Sequence, residues 1–346
     1  MRFLSLAARP DVVSWLVLLA AFLPGRLSAQ TSKPCSRATR FAQCYVLRDS
    51  ITLFQDLKTP IVRIAAVEVS TRGEIIVADP SEAHVKVFRS NGSLLRVLGR
   101  KGEGPGEFFQ PSGLRLTKAG QLHVLDPRVR RVSVFDAQYK FLRTIRLPDD
   151  IGFVTAMAVD SLGQYYLAGI GSDGIALVRA DSTGRLLKKY LMGSRGTRDP
   201  DKMWRVLLYV FLATAERSVY LVSAVQDSLY VLDTATETIS AIPIPAKELA
   251  ARPAPPKAFE RQSFATWADS FFRPEAVFSS EGEIVIPVVR GNLFEGAKSV
   301  LAALDGNTWH TLAGAPPILA ASHGRLVAVL NPDPDRIVIG IFRKRP

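Results

Sequence analysis

The stretches Gly73-Glu-Ile-Ile-Val-Ala-Asp79 and Gly120-Gln-Leu-His-Val-Leu-Asp126 decide the fold. Each is a turn glycine, a polar residue and an apolar strand that ends in aspartate. The pattern returns as Gly163-Gln-Tyr-Tyr-Leu-Ala-Gly169, Arg217-Ser-Val-Tyr-Leu-Val-Ser223, Gly282-Glu-Ile-Val-Ile-Pro-Val288 and Gly324-Arg-Leu-Val-Ala-Val-Leu330. Most copies stand about 42 to 54 residues apart, and self-similarity at such a period marks a repeat architecture.

Each copy has the same flanks. A short strand precedes it: Arg63–Val69, Gly113–Thr117, Val154–Val159, Val206–Thr214, Glu275–Ser279 and Ile318–Ser322. A third strand, a turn and usually a fourth strand follow, most plainly His84–Phe88 with Leu94–Leu98, and Arg131–Phe135 with Lys140–Leu147. Asn91-Gly92 and Asp305-Gly306 are dipeptides that tight hairpins favour. Short strands with this punctuation, and scarcely a helical period anywhere, make an all-β chain. Four strands at this period make a propeller blade. The expected fold is therefore a six-bladed β-propeller of four-stranded antiparallel blades, spanning 45–346. The last copy runs out of chain after three strands, and Tyr45–Phe54 is an unassigned strand at the other end. Paired together they close the ring and cover an open edge. One insertion, 246–272, carries Pro253-Ala-Pro-Pro256 followed by Phe259, Phe264, Trp267, Phe271 and Phe272, and reads either as a lid or as a packing flap.

Gly99-Arg-Lys-Gly-Glu-Gly-Pro-Gly-Glu-Phe108, Pro111-Ser-Gly113, Gly120, Val124-Leu-Asp126, Arg130-Arg-Val132 and Val134-Phe135 resemble the NHL repeat. The likeness is close in the second blade and fair in the first. Blades three to six keep the strands but lose the Asp, the Pro-x-Gly and the Arg pair. The chain also resembles exported bacterial six-bladed propellers, most of which have no assigned activity, so the resemblance implies fold and leaves function open. The glycine-rich run is no phosphate loop, because Phe108-Phe109 and a strand follow where Lys-Ser/Thr and a helix are needed. Asp79 and Asp126, at strand ends, are expected to hold turn amides.

Residues 1–29 read as a secretory signal, with Arg2 and Arg9 before the apolar run Val12–Leu23 and a small-residue cleavage site ending at Ala29. The run is too short to span a membrane, where about 20 apolar residues are needed. The expectation is an exported, periplasmic or extracellular protein with no stable membrane insertion after cleavage. The N-terminal segment 30–44 then holds Cys35 and Cys44 in a compartment where a disulfide between them persists.

The 346 residues carry 44 Lys and Arg against 32 Asp and Glu, a formal charge of +12. Arg favours planar, bidentate recognition of carboxylate, sulfate or phosphate. Nucleic acid is not expected as a partner, since no strand face interleaves basic and aromatic residues. His84, His123, His310 and His323 lack ligand spacing, and no nucleophile elbow appears. Hence no catalytic residue, metal or cofactor is assigned. The leading expectation is a monomeric, non-catalytic binding or scaffold propeller for a protein, peptide or anionic glycan ligand. The alternative is a metal-assisted hydrolase or lactonase of the gluconolactonase/paraoxonase type, a class the scaffold resembles. Glu107, Trp204, Arg205, Arg273 and Glu275 begin or directly precede innermost strands, and Arg290 and Asn331 come from loops on the same face. Together they form the candidate ligand site at the channel mouth. The competing reading of these residues is an Arg–Glu network that only neutralises itself.

Overall fold

The computed structural model describes residues 35, 38–54, 60–171, 174–191, 210–224, 226–250, 253, 266–291, 297–331, 333 and 336–345. The expected signal segment 1–29, Trp204, Arg205 and most of the 246–272 insertion lie outside them. Six antiparallel sheets follow one another along the chain. Blade 1 is Ala66–Val69, Ile75–Asp79, His84–Phe88 and Leu94–Leu98, and blade 2 is Gly113–Leu116, Leu122–Asp126, Arg131–Phe135 and Phe141–Arg146. Blade 3 runs from Phe153–Val159 to Leu186–Leu191 and blade 4 from Val210–Ala215 to Ile239–Pro243. In blade 5 the expected innermost strand is split into Arg273–Pro274 and Phe278–Ser280, both paired with Glu283–Arg290. The first strands of consecutive blades touch all the way round, which makes the ring.

The repeat motif supplies the second strand of each blade, and its composition follows from its place. Ile75–Asp79 and Leu122–Asp126 are buried at every position. Alternate residues serve the two neighbours: Ile75 and Val77 face a core shared with blade 6, and Ile76 and Ala78 one shared with blade 2. A strand buried on both faces reads as a continuous apolar run rather than an alternation. Six such cores lie between blades, so no blade has a core of its own. The leading glycines are needed because Gly73 and Gly120 turn with φ +79° and +78°, a region that side chains avoid.

Closure is as the strand count requires. Tyr45–Thr52 pairs antiparallel with Val338–Lys344 and becomes the outermost strand of blade 6. Its apolar residues Ile51 and Leu53 enter the core between blades 6 and 1. Beyond its end, Phe54 N–H donates to the Gly92 carbonyl at 2.9 Å, and a Cβ on Gly92 would meet the Thr52 carbonyl oxygen at 1.9 Å. A one-turn helix, Phe41–Cys44, precedes the strand. Cys44 is disulfide-bonded to Cys35, and both are buried with Phe41, Tyr45, Leu312 and Phe342 between blades 5 and 6. The Tyr45 hydroxyl donates to Glu283 Oε2 at 3.0 Å, and Lys344 Nζ lies 3.0 Å from Glu283 Oε1. One blade-5 carboxylate thus holds both chain ends. Burial, reinforced by the Glu283 charge, raises the Tyr45 pKa and keeps the phenol a donor.

Removing residues 30–54 from the mature chain is expected to lower the melting temperature by about 10 °C or more, since several core side chains go with one sheet edge. A scanning-calorimetry midpoint that does not move would contradict the closure.

Candidate functional site

In an antiparallel meander, each blade's first strand begins at the same end of the ring where its second strand hands over to its third. This inlet face gathers the loops between blades. Asp79 and Asp126, fully buried, organise it in the first two blades. Asp126 accepts Phe109 N–H at 2.6 Å, Gln110 N–H at 3.1 Å and Arg128 N–H at 3.2 Å. Asp79 does the same for Val62 at 2.7 Å and Ser81 at 3.0 Å. The expectation that these aspartates hold turn amides is met.

The sequence-selected residues divide into groups. Glu107 is committed to its own loop: it pairs with Arg100 Nε at 2.7 Å and accepts Gly104 N–H at 2.8 Å. The Arg100 hydrogen bond, with Gly104, holds its carboxyl below the usual range. Arg131 clamps the same loop from outside by donating to the carbonyls of Glu103, Gly104 and Glu107. Arg273 and Glu275 do come together, 2.5 Å apart, and the same guanidinium nitrogen lies 2.8 Å from the Asp269 carboxylate. The Arg273 side chain is only 5 % exposed and also donates to the Ala268 carbonyl. Burial raises the Glu275 pKa, against the pull of Arg273. Asn331 is exposed, and its Oδ1 accepts Asp333 N–H at 3.0 Å. Arg290 is exposed at the end of its strand and sits directly opposite Lys298 on the next one. Glu107, Arg273 and Glu275 therefore form local ion-pair networks, whereas Arg290 has no carboxylate within salt-bridge distance among the described residues.

Two further arrangements lie outside the residues that the sequence singles out. On the inlet face of blade 2, Lys101 Nζ lies 5.6 Å and the Arg128 guanidinium 5.7 Å from the centroid of the half-buried Phe109 ring. Both cations are exposed, and the Asp126 carboxylate fixes the backbone of two of the three residues. Inside the channel, Arg115 reaches from the innermost strand of blade 2 to Glu68 of blade 1 at 3.4 Å and to the Leu212 carbonyl of blade 4 at 2.5 Å. It also donates to the Leu114 carbonyl at 2.8 Å. An innermost strand has no partner on its channel side, so its carbonyls need donors. Arg115 supplies one across the ring.

Burial pushes the Glu68 pKa up to about 7, a rise that the Arg115 charge only partly opposes. A raised carboxyl pKa means the fold binds this proton more tightly than the unfolded chain does. The resulting stabilisation is complete below the ordinary carboxylate value and is lost as pH rises through about 7. His123, donating to or accepting from the Tyr165 hydroxyl at 2.7 Å, acts oppositely: burial lowers it to about 4, so its contribution is lost on acidification. Among the described residues no three His, Cys, Asp or Glu side chains converge in a way that could hold a metal ion, and no helix is long and apolar enough to cross a membrane.

The architecture defines the class, a six-bladed β-propeller. Residues 51–198 match the DUF5128 family, described as a 6-bladed beta-propeller. A search among curated proteins finds no match. Among solved structures, the chain is similar to a member of the DUF4221 family from Bacteroides vulgatus, with a TM-score of 0.59 and 12 % identity over 87 % of this chain and 98 % of that one. A Bacteroides fragilis protein named as exported gives a TM-score of 0.58 and 13 % identity over 87 % and 96 %. Virginiamycin B lyase from Staphylococcus aureus gives 0.52 and 12 % over 86 % and 99 %. At these identities the likeness is one of fold.

The pH dependence isolates the channel pair. Glu68→Gln is expected to gain stability relative to the native chain as pH is raised from about 5 to 8. Urea titrations across that range test it; a difference between the two proteins that does not change with pH would refute the role given to Glu68.

Proposed function

We propose that this protein is an exported, non-catalytic binding propeller that takes an anionic ligand on its inlet face. The observation that carries the reading is Arg290 opposite Lys298, two exposed cations at directly paired positions of blade 5. Like charges placed directly across a sheet are destabilising. Neither has a carboxylate within salt-bridge distance among the described residues, whereas Arg100 and Arg273 do. An anion bound between them relieves the repulsion. The exposed Lys101 and Arg128, beside the Phe109 ring, add a second pair on the same face with no carboxylate within salt-bridge distance among the described residues.

The export part rests on the 1–29 signal pattern and is supported by the Bacteroides fragilis protein named as exported. An intact mass that begins at Gln30 with no alkylatable thiol fits it.

If the charge pair serves binding, it costs stability in the free protein. Arg290→Ala with Lys298→Ala is expected to raise the melting temperature of the free chain slightly. The same change should reduce the additional rise that anionic polymers such as dextran sulfate or polygalacturonate produce at low salt. A native protein whose melting temperature none of these polymers raises would overturn the proposal.

A further inference from the structure

Blades 2 and 5 stand opposite one another in a ring of six, and each carries on the inlet face a cationic seat, a pair of exposed cations with no carboxylate within salt-bridge distance among the described residues. Between them the channel is crossed by Arg115, bound to blades 1 and 4. A ligand that uses both seats therefore lies over the channel rather than in it. Resting on the anion-binding reading above, we propose that the ligand is a linear acidic polysaccharide of uronate type, laid across the inlet face with one seat on blade 2 and the other on blade 5.

The blade-2 seat is built rather than incidental. Asp126 pins the backbones of Phe109 and Arg128, and Lys101 is fixed by its bridge to Phe108. Arg131 and Glu107 stiffen the glycine loop between them. The loss of loop freedom on binding is thus already incurred in the free protein. Beside the ring, a shallow groove lined by Arg128, Val129, Arg131, Thr144 and Arg146 continues toward the outer strands, with Arg146 exposed.

The chemistry favours a sugar acid. A guanidinium reads a planar carboxylate through two parallel hydrogen bonds, and each seat presents one in the exposed Arg128 or Arg290. Extended peptides are held by sheet edges and amphipathic helices by apolar grooves. The free sheet edges here are the outermost strands on the rim, away from both seats. A small anion fills one seat only. A chain of regularly spaced carboxylates fills both, the second contact being intramolecular.

Calorimetric titration of the mature protein at low salt, with galacturonate, short and long oligogalacturonates, and polyglutamate, tests this. The long oligomer is expected to bind about 100-fold more tightly than the short one. Lys101→Ala with Arg128→Ala, or Arg290→Ala with Lys298→Ala, should return it to the short oligomer's affinity. Equal affinities for short and long oligomers would overturn the two-seat arrangement while leaving anion binding intact. Tight binding of polyglutamate without oligogalacturonate would overturn the polysaccharide assignment. Binding of neither would overturn this inference, and the anion-binding reading too if the sulfated polymer also fails.

Discussion

The ladder between Tyr45–Thr52 and Val338–Lys344 joins the N-terminal strand to the last blade and closes the ring. The hydrophobic cores of this molecule lie between blades, so a blade without its neighbour on either side exposes apolar surface that it cannot cover alone. An open ring would leave the cores flanking blade 6 incomplete. The N-terminal strand prevents this twice over. It completes blade 6 as a sheet, and its side chains enter the cores on both sides: Ile51 and Leu53 toward blade 1, Tyr45 toward blade 5. The disulfide-bonded turn and the Glu283 carboxylate then hold the strand's beginning against blade 5.

A frame closed in this way presents rigid loops, and the inlet face shows what it does with them. Buried aspartates at the ends of two second strands convert loop backbone into fixed geometry, in the way that N-caps fix helix ends. Most of the strong charges there are spent on internal order: Glu107 and Arg131 on the glycine loop, Arg273 on Asp269 and Glu275, Arg130 on the carbonyls of Pro148 and Ile151. Among the described residues Lys101, Arg128, Arg290 and Lys298 have no carboxylate within salt-bridge distance, and the two pairs fall on opposite blades; the exposed Arg63 and Arg336 on the same face are likewise without one. The channel itself holds the acid–base pair Glu68–Arg115, whose carboxyl titrates near neutrality.

The architecture was legible because repetition multiplies a weak signal. One Gly-polar-strand stretch says little, but six copies with matching flanks define both blade and ring, and counting strands left a gap that only 45–54 could fill. The split first strand of blade 5 was not legible, because the chain enters it from the insertion and the ladder breaks between Glu275 and Phe278. The site was harder for a physical reason. Whether an arginine is free depends on carboxylates and carbonyls brought from elsewhere in the fold, and Arg273 and Arg290 look alike in sequence. The channel pair had a usable signal: Glu68 and Arg115 occupy the same position in consecutive repeats, five residues before Gly73 and Gly120. Opposite charges at equivalent positions of adjacent innermost strands predict a contact. The Leu212 carbonyl could not be foreseen, since backbone acceptors leave no mark in sequence.

Amide hydrogen exchange of the mature protein tests the closure most directly. If the ring depends on the N-terminal strand, the ladder amides of Tyr45–Thr52 and those of Val338–Lys344 exchange together, with the free energy of global unfolding. Fast, independent exchange of 45–52 while 338–344 stays protected would show a strand that detaches without opening the ring, and would contradict the account.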